Sequence, residues 1–340
     1  MSLVPHLHRV SAGVDLTSAE AKEAMTLLLE GGSPDAIVGS FLVALRIKGE
    51  TASELAGFAR AMREHMVAVD AGPDVIDIVG TGGDDAGTFN ISTVSAIVLA
   101  GAGVRVAKHG NRAITGKVGS ADVLEALGVR IAMTPAEAAN AVQEIGLGFM
   151  FAPNLHPAMK NVQGVRRELK MRTVFNLLGP LTNPARAQTQ VIGAPSVEFA
   201  KIMAEALAEL GTGHSYVVHG IIAGGGLDEV STTGSTEVHE VWTSRVKKRV
   251  WLPADFGVAK VSLDALAGGD AAANAKIAWE LLHGMKGPKR DIVVVNAAAA
   301  LMAAGLAATP SEGMTKASEA IDSGRAKAVL EKLQKNFPRE

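Results

Sequence analysis

The chain has 340 residues, 48% hydrophobic and 20% charged, enough for one large core or for a large and a small domain sharing a cleft. Lys plus Arg number 33 against 35 Asp plus Glu, so the net charge of −2 offers no field for gripping a nucleic-acid backbone; any phosphate binding must come from a local site. The lack of cysteine excludes disulfides, thiolate metal sites and a cysteine nucleophile, and 4% aromatic residues argue against a base-stacking surface.

Residues 1–10 lack the apolar core of a signal peptide, and the longest apolar runs, such as 292–304, fall short of a membrane span. A soluble, cytoplasmic protein is expected. Residues 15–70 read as all-helical. Thr17 and Glu20 form a capping box, Ser33 caps a second helix with Pro34 in its first turn, and 53–69 is a third amphipathic segment. From Val75 the texture changes to strands alternating with helices. Strands are expected at 75–79, 104–107, 148–152, 189–192 and 216–219. Helices are expected at 91–100 and 120–127, and another opens on the capping box Thr134–Glu137. Residues 237–252 read as a hairpin about Ser244-Arg245, and Ala-rich helices follow from about 271. The expected class is α/β: a small all-helical domain and a larger α/β domain around a central, mostly parallel sheet. The boundaries are 1–72, joined by helices from about 163–185, against 73–162 and 186–340.

Three loops carry the chemistry. Gly80-Thr-Gly-Gly-Asp84, followed by Asp85, Thr88 and Asn90-Ile-Ser-Thr93, lies between a strand and a helix, where glycine backbone and a helix N-terminus can face an anion. It is neither a Walker loop nor the dinucleotide Gly-x-Gly-x-x-Gly. Two carboxylates in a phosphate loop imply a cation or ligand hydroxyls. Asn90 can either cap the helix or hold phosphate oxygens. The second loop, Lys108-His-Gly-Asn-Arg-Ala-Ile-Thr-Gly-Lys-Val-Gly-Ser120, gathers three cations after the neighbouring strand, and loops after adjacent parallel strands lie side by side. A solvated basic turn is the plainer reading of Lys108 and Arg112. The third, Gly224-Gly-Gly-Leu-Asp228-Glu229, presents adjacent carboxylates suited to a hydrated Mg²⁺ or, on their own, to a solvated surface.

These segments occur in order with Gly119–Gly128, His156-Pro-Ala-Met-Lys160, Val165-Arg-Arg-Glu168 and Phe175-Asn-Leu-Leu-Gly-Pro-Leu-Thr-Asn-Pro184. Together they resemble the anthranilate phosphoribosyltransferases of tryptophan biosynthesis, from about residue 15 to the C-terminal helices. The resemblance implies a Mg²⁺-dependent pentosyltransferase that moves 5-phosphoribosyl from phosphoribosyl pyrophosphate (PRPP) to the anthranilate amine, the second step from chorismate to tryptophan. It also implies a homodimer through the helical domain, with the active site between the domains. For PRPP it implies Gly80, Gly83, Asp84, Thr88, Asn90, Ile91, Ser92, Thr93, Lys108, His109, Gly110, Asn111, Arg112, Ala113, Ile114, Thr115, Gly116 and Ser120. For anthranilate it implies Gly80, Asn111, His156 and Arg166; for Mg²⁺, Ser92, Asp228 and Glu229.

Arg166 falls ten residues after His156, close to three helical turns and so on roughly the same face, and a guanidinium there could clamp a carboxylate by two hydrogen bonds. Helix capping is the competing role for His156, and one of Arg166 and Arg167 is a surface residue. Two positions depart from the family pattern: Thr115-Gly116-Lys117-Val118 replaces a frequent Ser-Ser-Lys-Ser, and Leu155 replaces a histidine before His156. Positioning by Asn111 and Arg166 is expected to dominate over acid–base catalysis, since the amine is already a neutral nucleophile. A hinge is expected near 69–73. The rival readings are a pyrimidine nucleoside phosphorylase, a nucleic-acid-binding homologue and a non-catalytic metabolite-binding protein. The Asn-Leu-Leu-Gly-Pro segment, the Asp228-Glu229 pair and the net charge speak against them.

Overall fold

The structure, a computed structural model, describes residues 2–84, 86–113, 118–222 and 225–339. The chain opens with four helices, α1 (Val4–Ser11), α2 (Ser18–Glu30), α3 (Asp35–Lys48) and α4 (Ala52–His65). The first begins well before the expected helical stretch, because Pro in its first turn needs no N–H acceptor. The capping box at Thr17 forms: the Thr17 N–H donates to Glu20 Oε2 at 2.8 Å and the Glu20 N–H to Thr17 Oγ1 at 3.3 Å. Ser33 does not cap. Pro34, with ψ 142°, keeps the chain extended to the cap position and α3 starts at Asp35 with no side-chain cap. Thr51 and Glu54 form a second box, at α4, that the sequence reading passed over.

The remainder alternates β1 (Ile76–Gly80), α5 (Ile91–Gly101), β2 (Val106–Gly110), α6 (Ser120–Ala126), α7 (Pro135–Glu144) and β3 (Leu147–Phe151). Short α8 (Ala152–Leu155), α9 (Lys160–Leu169) and α10 (Phe175–Leu178) follow, then β4 (Thr189–Gly193), α11 (Val197–Leu210), β5 (His214–Ile222), β6 (Gly225–Leu227), β7 (Thr236–Trp242) and β8 (Arg245–Trp251). Helices α12 (Ala271–Leu282), α13 (Pro288–Ala303), α14 (Pro310–Asp322) and α15 (Arg325–Asn336) close the chain. Strand ends differ by a few residues from expectation, and the hairpin forms with its turn at Thr243-Ser244, Thr243 taking φ 56°.

Among the described residues the sheet runs β3-β2-β1-β4-β5-β7-β8, with β6 on the far end of β5. Strands β1 to β5 are parallel and the last three antiparallel. From β1 the chain moves outward to β2 and β3, then returns to the other side of β1 with β4. That reversal is a switch point, where the loops leaving the carboxyl ends of β1 and β4 part and open a crevice.

Two apolar cores result. One joins the sheet to α5, α6, α7 and the C-terminal helices. The other fills the bundle of α1 to α4, and Val162, Val165, Phe175 and Leu178 of α9 and α10 are buried in it together with α11. Segment 160–178 therefore sits on the helical bundle although it interrupts the α/β sequence. No helix of the described residues is long and apolar enough to cross a membrane.

Candidate active site

The crevice at the switch point is shaped by two glycines. Gly80 ends β1 and Gly193 ends β4, paired in register. A Cβ on Gly80 would lie 2.3 Å from Asp228 Oδ2, and one on Gly193 would lie 1.6 Å from the Asp228 carbonyl oxygen. Only bare backbone lets Asp228 settle there. Its Oδ2 accepts the Gly82 N–H at 2.7 Å, and its own N–H donates to Asp84 Oδ2 at 3.3 Å. Beside it, Glu229 Oε1 accepts the Ser92 N–H at 3.1 Å, in the first turn of α5. Three carboxylates thus meet two loop segments whose N–H groups favour anions.

The electrostatics follow from burial. Asp228 is pushed up to about 7 by burial and then by the Asp84 carboxylate, and Glu229 is raised well above its usual range by burial and by Asp228. The opposing cation is Lys108, 2% exposed on β2, whose Nζ donates to the Ile78 carbonyl at 2.7 Å and lies 3.5 Å from Ser92 Oγ. Burial lowers its pKa against the pull of Asp77 and Glu229. So Lys108 is no solvated turn.

Arg112 differs. It is exposed, and its guanidinium is held by Asp122 and Glu125 at 2.5 to 3.0 Å, which matches the plainer of its two readings. Asn90 occupies the cap position of α5 without capping it. Instead its Nδ2 donates to the Val118 carbonyl at 3.1 Å and its Oδ1 accepts from Asn274 at 2.9 Å, tying the first loop to the second and to α12. Ile91 and Thr93 are buried, with Thr93 facing a small apolar cavity beside Leu124 and Phe149. Thr88 bridges to Ala267, and Ser120 Oγ donates to the Asn111 carbonyl at 3.3 Å next to Gly110. Ala113 donates its N–H to Asp122 at 3.2 Å. Ile114, Thr115, Gly116 and Lys117, with Asp85 and Gly224, lie outside the described residues.

On the helical side His109 and His156 face each other with ring centroids 5.1 Å apart. Burial drives His109 down to about 3 and His156 to about 4, so both are neutral at physiological pH. His109 Nδ1 meets the Gly179 carbonyl at 3.1 Å, while both Nε2 atoms are buried without a partner among the described residues. His156 follows α8 and Arg166 lies on α9, with a 3-10 turn (Pro157–Met159) between them, so they do not share one helix face as the spacing suggested. His156 caps neither neighbour by its side chain. Arg166 is half-buried over the Phe175 ring at 4.9 Å, whereas Arg167 is exposed. Burial lowers the Arg166 pKa, and among the described residues no carboxylate pairs with it.

Residues 72–327 match the α/β domain of a glycosyl transferase family and residues 4–66 its helical bundle domain. An anthranilate phosphoribosyltransferase of Solibacter usitatus is 54% identical over 336 residues, 98% of each chain. The chain belongs to the anthranilate phosphoribosyltransferase family. The crystal structure of the Thermus thermophilus family member superposes with TM-score 0.90 at 43% identity, covering 98% of both chains. That of Saccharomyces cerevisiae, in complex with PRPP and Mg, gives 0.87 at 30% identity, covering 97% of this chain and 96% of that one. The yeast protein has also been solved with 4-fluoroanthranilate.

Against that family, Mg²⁺ suits the donors present. Ser92, Asp228 and Glu229 offer oxygen donors, the two carboxylates are only partly balanced by Lys108, and Mg²⁺ favours oxygen donors and keeps several waters. Among the described residues no three His, Asp or Glu side chains form a ready-made cage. Val118 engages Asn90 through its backbone carbonyl and has no side-chain hydroxyl such as the family pattern carries there, and Leu155 is buried in the main core.

The sequence reading missed several supporting residues. Asp77, fully buried and raised to about 6 by burial, accepts the His109 N–H at 3.3 Å and the Asn183 amide at 2.7 Å. Asn183 also donates to the Ala107 carbonyl at 2.8 Å and so knots β1, β2 and the segment after α10. The signal for Asp77 was a lone acid in the apolar run 75–79, and Asn183 lay within the Phe175–Pro184 motif without a role assigned to it; Gly193 and Asn274 carried none.

Proposed function

We propose that this protein transfers the 5-phosphoribosyl group of PRPP to the amine of anthranilate, with release of pyrophosphate, in tryptophan biosynthesis. What carries this reading is the meeting of the β1 and β2 loops with Asp228 and Glu229 at the switch point, in a chain of this family. On it, PRPP lies across the two loops, Mg²⁺ is held by Ser92, Asp228 and Glu229, and anthranilate enters from the side of Asn111, His156 and Arg166.

Negative charge grows on the departing pyrophosphate as the ribose C1 acquires oxocarbenium character. The backbone N–H groups of the first loop, the α5 N-terminus and the Lys108 ammonium are placed to stabilise it. Magnesium, when bound, would neutralise pyrophosphate oxygens and improve the leaving group. The anthranilate amine attacks as a neutral nucleophile, so no strong base is needed, in keeping with two neutral histidines. Arg166, with no carboxylate partner among the described residues, is suited to the anthranilate carboxylate. The reading includes a homodimer through the helical domain, where Ile47 is 80% exposed, and light scattering tests that part.

The decisive experiment follows the loss of anthranilate fluorescence with PRPP, with and without Mg²⁺. A metal-dependent decay is expected. A folded protein that binds PRPP yet leaves anthranilate unchanged would reject the acceptor and direct a screen of other aromatic amines and nucleobases.

A further inference from the structure

We infer that Arg172 is a positioning residue for the pyrophosphate-binding loop, setting the peptide planes whose N–H groups receive the ligand. The inference rests on the functional reading above. Helix α9 ends on Lys170 in the left-handed region (φ 48°, ψ 32°), which breaks the helix two residues before Arg172. Arg172 then reaches the loop after β1. Its Nη1 donates to the Gly83 carbonyl at 2.6 Å and its Nη2 to the Gly82 carbonyl at 3.0 Å.

Peptide planarity turns this contact into a statement about donors. In a trans peptide the carbonyl oxygen of one residue and the N–H of the next point in opposite directions. Holding the oxygens of Gly82 and Gly83 on the Arg172 side therefore directs the N–H groups of Gly83 and Asp84 to the other side. Among the described residues neither of these N–H groups has an acceptor, while the neighbouring Gly82 N–H is taken by Asp228. Both glycines sit at positive φ, 71° and 70°, so the backbone reaches this arrangement without a Cβ in the way. Two unclaimed donors in tandem are what a pyrophosphate oxygen requires.

Charge adds to geometry. Among the described residues no carboxylate pairs with Arg172, so its two partners are neutral carbonyls and its charge remains to favour an anion at the loop. The segment is also anchored. Val165 and Phe175, on either side of Arg172, are buried in the bundle core, and Arg166 stands six residues before it. One guanidinium thus links the helix bearing the anthranilate-side arginine to the loop that takes PRPP.

The test is calorimetric titration of PRPP in the presence of Mg²⁺ into wild type, Arg172→Ala and Arg172→Lys, together with KM for each substrate and Tm. Arg172→Ala should weaken PRPP binding by about 10-fold or more and raise its KM, leaving the anthranilate KM and Tm near wild type. Arg172→Lys should recover only part, because one ammonium lacks the fork that spans two carbonyls, and added methylguanidinium should partly rescue Arg172→Ala. Wild-type PRPP affinity in Arg172→Ala overturns the inference. So does a parallel loss for both substrates with a fall in Tm, which would make Arg172 a tether of the fold. Failure of wild type itself to bind PRPP would instead overturn the functional reading, and this inference with it.

Discussion

Two clusters of buried charge, one in the helical bundle and one at the sheet edge, are built on opposite terms. In the bundle, Glu54 is fully buried, and its Oε1 takes the Leu16 N–H at 2.9 Å. Its Oε2 takes the Lys48 ammonium at 3.0 Å, the Thr51 N–H at 2.9 Å and the Thr51 hydroxyl at 3.1 Å. Lys48 in turn reaches Asp15 and the Gly49 carbonyl. Glu54, Lys48 and Asp15 thus answer one another within the chain. At the sheet edge Asp84, Asp228 and Glu229 crowd together against the ammonium of Lys108, and Asp228 and Glu229 each hold a backbone N–H, of Gly82 and of Ser92. Burial of an unbalanced cluster costs stability. It is tolerable where a cation and an anion are to be received.

That contrast can be broken by mutation. The largest effect is expected for Asp228→Asn, which should lower transferase activity by roughly 100-fold or more and abolish the rise in Tm that Mg²⁺ with PRPP confers. The Tm of the metal-free variant should equal or exceed that of wild type, since a repulsive buried charge is removed; a drop would place Asp228 in the same class as Glu54.

For Glu54→Ala, urea unfolding should report a loss of about 3–5 kcal/mol, because Lys48 and the Leu16 N–H are left unanswered in the bundle. The PRPP KM should stay unchanged in whatever fraction remains folded.

The neutral histidines sharpen the comparison through pH. The native His156 imidazole titrates near 4 while an unfolded one titrates near 6.5, so below 6.5 the unfolded state binds more protons. Stability contributed by His156 is present above pH 6.5 and falls as pH drops towards 4. His156→Phe should flatten this acid limb by about 2 kcal/mol at pH 5, as measured by denaturant titrations at a series of pH values. An unaltered limb would mean the ring takes a proton without unfolding. The smallest effect is expected at Thr17→Ala, where loss of one capping box should cost about 1 kcal/mol in the same assay and leave both KM values alone.

Parts of the molecule whose physics is local were legible in the sequence. The boxes at Thr17 and Thr134 form as expected, since cap and reach-back acid lie three residues apart and meet whenever the helix forms. The same holds for the alternation of strands and helices and for the hairpin at 236–251. Ser33 misled because the extended ψ of Pro34 delayed the helix by a residue, and ten-residue spacing misled for His156 and Arg166 because a turn intervenes.

By itself, then, the sequence determined which segments become helices, strands and glycine loops, and which family they make. Only the tertiary structure decided what those loops touch. Asn90 turns from a cap into a bridge to Asn274, 184 residues away, and Arg112 is taken by Glu125. Gly193 must lack a side chain because Asp228 lies over it, and Arg172 holds a loop 89 and 90 residues earlier. The reason is physical: a cap or a turn is settled by neighbours along the chain, whereas burial and unshared charge exist only once the switch point brings distant segments together.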